Sequence, residues 1–288
     1  MKRLLIASTM VASLFASSSL LAAETSDTDS TNKSWGMDKY YLRIGAFIPL
    51  ASRTQVRADT NYFLSATIDT EKTLGQDRPD ITPRIEAYWR YHPNHSLGFT
   101  YYKLDQNGSK IIEEELVFDE ETTFLAGEVN SYLNQETLKL DYTYSFYRTN
   151  KVELGLSAGL HITEFDFGIS GEANTFEPDG TPIGTGVFAK TGVDVTAPLP
   201  VVGFKLNYNF TPRTRLLYKT DIFALRFDKY KGSLVDTGIM VEYQAWKHVG
   251  IGGGLNSIQI QAESDEDNGT VGFQNRVLGA QLYLTLNY

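Results

Sequence analysis

The chain contains no cysteine. That excludes a disulfide framework and any thiolate metal site, so an exported protein of this sequence must be held by packing and hydrogen bonding alone. After residue 24 there is also no apolar stretch long enough to cross a bilayer as a helix, which takes about 20 residues. Basic residues are in deficit: 26 Lys and Arg stand against 35 Asp and Glu, a net charge of −9. Nucleic acid is held by a concentrated positive face, so no nucleic-acid partner is expected.

What the sequence does contain begins with an export signal. Lys2 and Arg3 give a positive start, residues 4–21 are apolar and interspersed with small Ser and Ala, and Ala22-Ala23 offers a small-residue cleavage site. The short, Ser-rich core favours a signal peptide over residues 1–23 rather than a membrane anchor. Cleavage after Ala23 removes Lys2 and Arg3 and no acid, leaving 24 basic against 35 acidic side chains, a net charge of −11. Residues 24–34 are rich in Ser, Thr and Asp and are expected to form a disordered periplasmic segment. Residues 35–288 read as one domain. The chain's 17 Tyr, 16 Phe and frequent Gly, without long apolar runs in this domain, are the profile of many strands.

Alternation locates those strands. In the last segment Leu278, Ala280, Leu282, Leu284, Leu286 and Tyr288 share one face, and Val277, Gly279, Gln281, Tyr283, Thr285 and Asn287 the other. In a membrane barrel the apolar face meets lipid and the small or polar face meets the lumen. Such strands must close on themselves, because unpaired backbone groups in hydrocarbon cost several kcal/mol each. The pattern recurs at Tyr40, Leu42, Ile44, Ala46 and Ile48, at Ile85, Ala87, Trp89 and Tyr91, at Leu138 to Phe146, and at Val152 to Ile162. Further strands centre on residues 97–102, 202–210, 216–224, 235–245 and 249–255. The prediction is an all-β fold, a transmembrane antiparallel up-and-down β-barrel of about 10 strands. Eight or twelve would follow if 51–81 or 106–134 were misassigned, since residues 54–58 and 66–70 have some strand character.

Connections sort into two classes. Short turns sit at Pro93-Asn94, Arg148-Thr149-Asn150, Thr211-Pro212-Arg213 and Lys247-His248. Longer, acidic connections occupy 51–81, 106–134, 170–195 and 262–274, with a tighter one near 229–233; residues 110–118 and 123–130 could pair as a hairpin. Short and long alternate, as periplasmic turns and extracellular loops do, which puts both termini in the periplasm. By that topology Trp35, Trp89 and Trp246 share the periplasmic end with Tyr91, Phe146, Phe210 and Tyr288, an aromatic girdle at the membrane interface.

Several stretches carry a resemblance: Tyr41-Leu42-Arg43-Ile44-Gly45-Ala46-Phe47, Asp141-Tyr142-Thr143-Tyr144-Ser145-Phe146, residues 153–161, Tyr230-Lys231-Gly232-Ser233-Leu234 and the C-terminal strand. Over nearly the whole mature chain the sequence resembles the uncharacterised Gram-negative outer-membrane β-barrel proteins grouped with the OmpA/OmpW-like small barrels. The shared motifs are architectural and imply no activity. The terminal strand is similar to the signal read by the outer-membrane assembly machinery, with Tyr288 in place of the more usual Phe. The resemblance therefore implies a cell outer-membrane location, contact with membrane lipid and lipopolysaccharide, and assembly through that strand; a monomer is expected.

Candidate chemistry lies on the lumen face. Arg43, Arg84, Arg90, Lys139, Lys205 and Lys219 point inward by parity, as do Glu86, Asp141, Glu153, Asp221, Asp236 and Glu242. Six cations against six anions favour mutual neutralisation, because an unpaired buried charge is far more costly than a paired one. A ten-stranded barrel is only modestly wider than the eight-stranded kind that side chains fill, which favours a salt-bridged plug. A narrow ion path lined by the same residues is the alternative. His161 also faces inward, with Thr163 and Glu164 beyond, but there is no Asp-x-His pair of the omptin protease type and no His-x-Ser run of the lipid A deacylase type. His161 reads as structural; His92, His95 and His248 belong to turns. The acidic runs 113–115, 119–121 and 265–267 could hold divalent cations bridging to lipopolysaccharide phosphates, or serve as solvated surface. The expected function is a structural or surface-interaction barrel without catalytic activity or cofactor. A small passive channel is the second reading and an outer-leaflet lipid-modifying enzyme the third.

Overall fold

The computed structural model describes residues 38–60, 63–113, 116–117, 122–176, 182–227, 230–266 and 269–288. The leader, residues 24–34 and Trp35 lie outside the described residues. The elements are β1 (Tyr40–Thr60), β2 (Phe63–Asp69), α1 (Thr70–Thr73), β3 (Thr82–His92), β4 (His95–Ile112), β5 (Leu116–Val117) and β6 (Thr122–Arg148). They continue as β7 (Val152–Phe176), β8 (Pro182–Thr211), β9 (Thr214–Phe227), β10 (Tyr230–Trp246), β11 (Val249–Glu266) and β12 (Gly269–Asn287). Among the described residues ten of these strands form a closed antiparallel ring. β1 pairs with β3, β3 with β4, β4 with β6, and each strand from β6 onward with its successor until β12 returns to β1. This is the ten-stranded up-and-down barrel that the alternation predicts.

Closure runs from Tyr41↔Asn287 to Thr60↔Gly269 with one slip, between Pro49 and Ala51. Proline has no N–H for the ladder, and a bulge is where a sheet tolerates it. At the end of the barrel that carries the short turns, the carbonyl of Tyr288 accepts the N–H groups of Lys39 and Tyr40, each at 2.9 Å. The opposite end is the rim.

Four segments expected to be long connections, 51–81, 106–134, 170–195 and 262–274, are instead largely strand. β1 continues to Thr60, β4 to Ile112, β7 to Phe176 and β11 to Glu266, and their partners return in register. The pairing of 110–112 with 127–129, and of Leu116-Val117 with Phe124 and Thr123, matches the hairpin foreseen there. Residues 55–58 likewise pair with 66–69, as β1 with β2. β2 stands beside upper β1 where β3 stands lower down, so it extends the wall without adding to the ring.

The reason these stretches look like loops is a change of sign. On β7, Leu160 points outward and His161 inward; four residues on, Glu164 is exposed and Phe165 is partly buried against the core. On β6, Leu140 is outward and Lys139 inward, whereas above them Glu136 is outward and Leu133 inward. Glu136 and Glu164 are register partners, as are Leu138 and Ile162 below them, so the change falls at one level on both strands. Below it the barrel is apolar outside and polar inside. Above it the arrangement is that of a soluble protein.

The wall is uneven. β6, β7 and β8 have 27, 25 and 30 residues, β9 only 14. At about 3.3 Å per residue and a tilt of roughly 40°, β8 extends roughly 75 Å along the axis, against an apolar band of about 25 Å. Between β2 and β3 the chain turns inward. Asp69 caps α1 through a hydrogen bond from the Lys72 N–H at 3.3 Å, and Leu74 is fully buried against Ile112, Phe124, Val129 and Ile169. Gln76 bridges to Gly108, and the N–H groups of Asp77 and Asp80 donate to the carbonyls of Asn107 and Asp105.

Candidate functional site: the lumen and its charge network

Most lumen charges sit on strands whose outward neighbours are apolar, so the charges lie in a shell with low-dielectric surroundings. Two glutamates organise the centre. Glu242, from β10, is fully buried and accepts from Arg43 Nε at 2.7 Å, Arg215 Nε at 2.6 Å and the Tyr283 hydroxyl at 2.9 Å. Glu86, from β3, accepts from Arg84 Nε at 2.9 Å, Lys219 Nζ at 3.0 Å and Arg43 Nη1 at 3.3 Å. Arg43 therefore bridges the two carboxylates from β1. Arg84 also donates to Asn256 Oδ1 at 3.0 Å.

A second group lies across the barrel. Asp141 accepts from Lys205 Nζ at 2.5 Å and stands 3.5 Å from Lys139 Nζ, which also pairs closely with Asp221. Nearer the turns, Arg90 engages Glu153 with both terminal nitrogens, at 2.8 and 3.1 Å. Ser145 and Asn207 add hydrogen bonds to Glu153 at 2.6 and 3.2 Å. Among the described residues Asp236 makes no ion pair; its carboxylate accepts from Asn256 Nδ2 at 2.6 Å. All twelve charges named from parity thus reach the lumen, and eleven of them are ion-paired. Arg215, which is 2% exposed, completes the network and escaped the sequence reading. It shares parity with Lys219 and Asp221 but lies one residue before the expected strand 216–224, whereas β9 begins at Thr214.

Glycines make room for these groups. Asp141 is flanked in register by Gly98 on β4 and Gly159 on β7, and Tyr283 by Gly45 on β1 and Gly252 on β11. A Cβ at Gly252 would lie 2.4 Å from the Tyr283 ring, and one at Gly159 would lie 2.8 Å from the Asp141 Cβ. The small positions on the lumen face of each strand are therefore the seats of its neighbours' large side chains.

Above the charges lies an apolar layer. Phe47, Tyr102, Leu104, Val201, Leu234, Ile258, Ile260 and Val277 form one buried cluster, contributed by β1, β4, β8, β10, β11 and β12. His161 is fully buried, its Nδ1 3.0 Å from the Thr163 hydroxyl, which in turn is 3.3 Å from that of Thr137. It has no open path to solvent and no carboxylate in hydrogen-bond contact. Among the described residues no group of three or more His, Asp or Glu side chains could hold a metal. The acidic runs 113–115, 119–121 and 265–267 lie wholly or partly outside the described residues.

At the turn end, exposed aromatic side chains ring the outer surface. The Trp89 and Tyr91 rings lie 5.7 Å apart between centroids and tilted to each other, those of His248 and Tyr288 lie 5.6 Å apart, and Trp246 and Phe210 project outward. Just inside that end is a cavity of about 80 Å³ whose lining includes Arg43, Arg90, Lys205, Arg215 and Lys219.

No protein-family model matches the chain, and no curated protein is found to be similar to it. Solved structures are. The outer membrane protease OmpT of Escherichia coli aligns with 90% of this chain and 100% of its own at 12% identity, with a TM-score of 0.51. The toluene transporter TodX of Pseudomonas putida aligns over 87% and 90% at 9% identity and a TM-score of 0.34. Ail, the attachment invasion locus protein of Yersinia pestis, aligns over 86% and 99% at 9% identity and a TM-score of 0.29. At 12% identity the OmpT likeness is one of fold: the chain has the architecture of an outer-membrane β-barrel.

Proposed function

We propose that the protein is a closed barrel of the Gram-negative outer membrane that acts through its outer surface, as a structural or surface-interaction protein and not as a conduit or an enzyme. The observation that carries this reading is the pair of consecutive layers across the lumen. The ion-paired layer around Glu86 and Glu242 is covered toward the rim by an apolar layer in which Phe47, Leu234 and Ile258 are all fully buried. A hydrated path would have to break both layers. The belt of outward apolar side chains, including Leu140, Leu160, Leu282 and Leu284, supports a membrane setting with lipid and lipopolysaccharide as neighbours. Assembly through the strand ending at Tyr288, and a monomeric state, belong to the same reading. The tall wall of β6 to β8 supports the surface role, since it carries Glu164, Asp194 and Phe188 exposed beyond the belt.

The protease named among the structural neighbours does not transfer on these residues. The chain has no Asp-x-His pair, and its one lumen histidine is sealed beneath the apolar layer. The reading is tested in planar bilayers with the purified barrel. No reproducible conductance steps are expected; steady unitary steps from folded protein would overturn it in favour of a channel.

A further inference from the structure

The cavity at the turn end has a lining of one sign. Arg43, Arg90, Lys205, Arg215 and Lys219 contribute to its wall, and no aspartate or glutamate does. Each of these cations has a carboxylate partner: Glu242 for Arg43 and Arg215, Glu153 for Arg90, Asp141 for Lys205 and Glu86 for Lys219. None of those carboxylates reaches the cavity surface. Five ion pairs are thus arranged with their positive members toward one space and their negative members away from it. Five cations share four carboxylates, so pairing cancels most of the charge and leaves aligned dipoles, and fixed dipoles in low-dielectric surroundings focus potential into a cleft.

The space suits a ligand of moderate size. A single water occupies about 10–15 Å³ on the same measure of free volume, so about 80 Å³ has room for several waters or one polyatomic anion. Asn207 adds an amide to the wall. Arg90 and Lys205 keep side-chain exposures of 13% and 15%, higher than the 5% of Lys139 deeper in, so the cavity is reached from the turn end. Three guanidinium forks and two ammoniums match the several oxygens of a phosphate group better than a monatomic halide.

We propose that this cavity is a binding site for a phosphate group, either free inorganic phosphate or the terminal phosphate of a small monoester. Only the source of the ligand, the periplasm, rests on the membrane reading above; the site itself does not. The barrel is blind above it, so the site is a receptor pocket and not the mouth of a pore.

The test uses the whole protein folded in detergent micelles, with inorganic phosphate and glycerol phosphate each titrated against chloride at constant ionic strength. Binding is read by calorimetry and by the rise of the thermal midpoint with ligand concentration. Saturable binding is expected for inorganic phosphate, with a Kd on the order of 1 mM or tighter. Glycerol phosphate binding at least as tightly identifies the group on either source; its exclusion assigns the site to the free anion. Ser96 lines the cavity and takes part in none of the ion pairs. Ser96→Asp places a carboxylate there without removing any member of the ion pairs, and should weaken binding by roughly tenfold or more. Ser96→Asn, similar in size and neutral, should bind as the wild type does. Failure of both ligands to saturate, or equal binding by Ser96→Asp, overturns the proposal whether or not the lumen conducts.

Discussion

Around Glu86 and Glu242 the lumen is filled by guanidinium groups, carboxylates and tyrosine hydroxyls; around Leu234 and Ile258, nearer the rim, it is filled by aliphatic and aromatic carbon. The outer surfaces are the reverse. Beside the charges stand Ile44, Ile85, Leu140 and Val241, while on β11 Gln259 and Gln261 flank the inward Ile258 and Ile260. The difference shows what each filling contributes. Apolar packing gains stability per area removed from water. A buried ion pair recovers at best what its desolvation costs, but it penalises any register in which a charge loses its partner. In the belt, where the outward side chains gain nothing by turning inward, the charge layer supplies specificity of pairing. Above the belt the apolar layer supplies cohesion.

The largest effect should come from breaking the charge layer unevenly. Glu242→Ala takes a shared carboxylate from Arg43 and Arg215 at once and should destabilise the barrel by about 3–5 kcal/mol in urea unfolding from lipid vesicles. Replacing Arg43, Arg215 and Glu242 together by Met and Leu should cost far less, or nothing. A triple variant as unstable as the single one would show that the layer is cohesive in its own right and would erase the contrast. Leu234→Ala should follow at about 3 kcal/mol, the transfer and cavity terms of a fully buried leucine. A loss below about 1 kcal/mol there would mean that the upper layer is not close-packed.

The same contrast governs how much could be read in advance. Ten strands were legible because lipid outside and charge inside give a two-residue alternation with a sharp sign: Leu138 and Leu140 against Lys139 and Asp141. For the same reason parity alone sends the twelve lumen charges inward. Above Leu138 on β6 and Ile162 on β7 the parity persists but its sign inverts, so Glu136, Glu164 and Asp166 look like loop acids although they stand in register on paired strands. Strand length was therefore underestimated where the solvent outside changes from lipid to water. Arg215 was missed at a strand end, where boundaries are least defined by pattern. Which cation meets which carboxylate was not legible at all. Arg43 joins Glu86 on its neighbouring strand to Glu242 across the barrel, and only closure of the ring brings the latter within reach.

The smallest effect lies at the rim side of the comparison, where charge meets water again. Glu71, half-buried on α1, accepts the Thr54 N–H at 2.8 Å, and its burial, together with the nearby Asp69 carboxylate, holds its carboxyl above the usual range. A raised carboxyl means that the folded state disfavours the ionised form. This contribution is fully present below the unfolded pKa, near 4.3, and is lost as pH rises through the higher folded value. Glu71→Gln keeps an oxygen for Thr54 and removes the ionisation. Its stability relative to the wild type should therefore increase from about pH 4 toward neutrality, by less than about 1 kcal/mol because the site is partly solvated. Paired urea curves at pH 4 and pH 7 measure this directly. Should the advantage shrink with rising pH, Glu71 would be stabilised by its charge, and the upper lumen would tolerate ions as the lower one does.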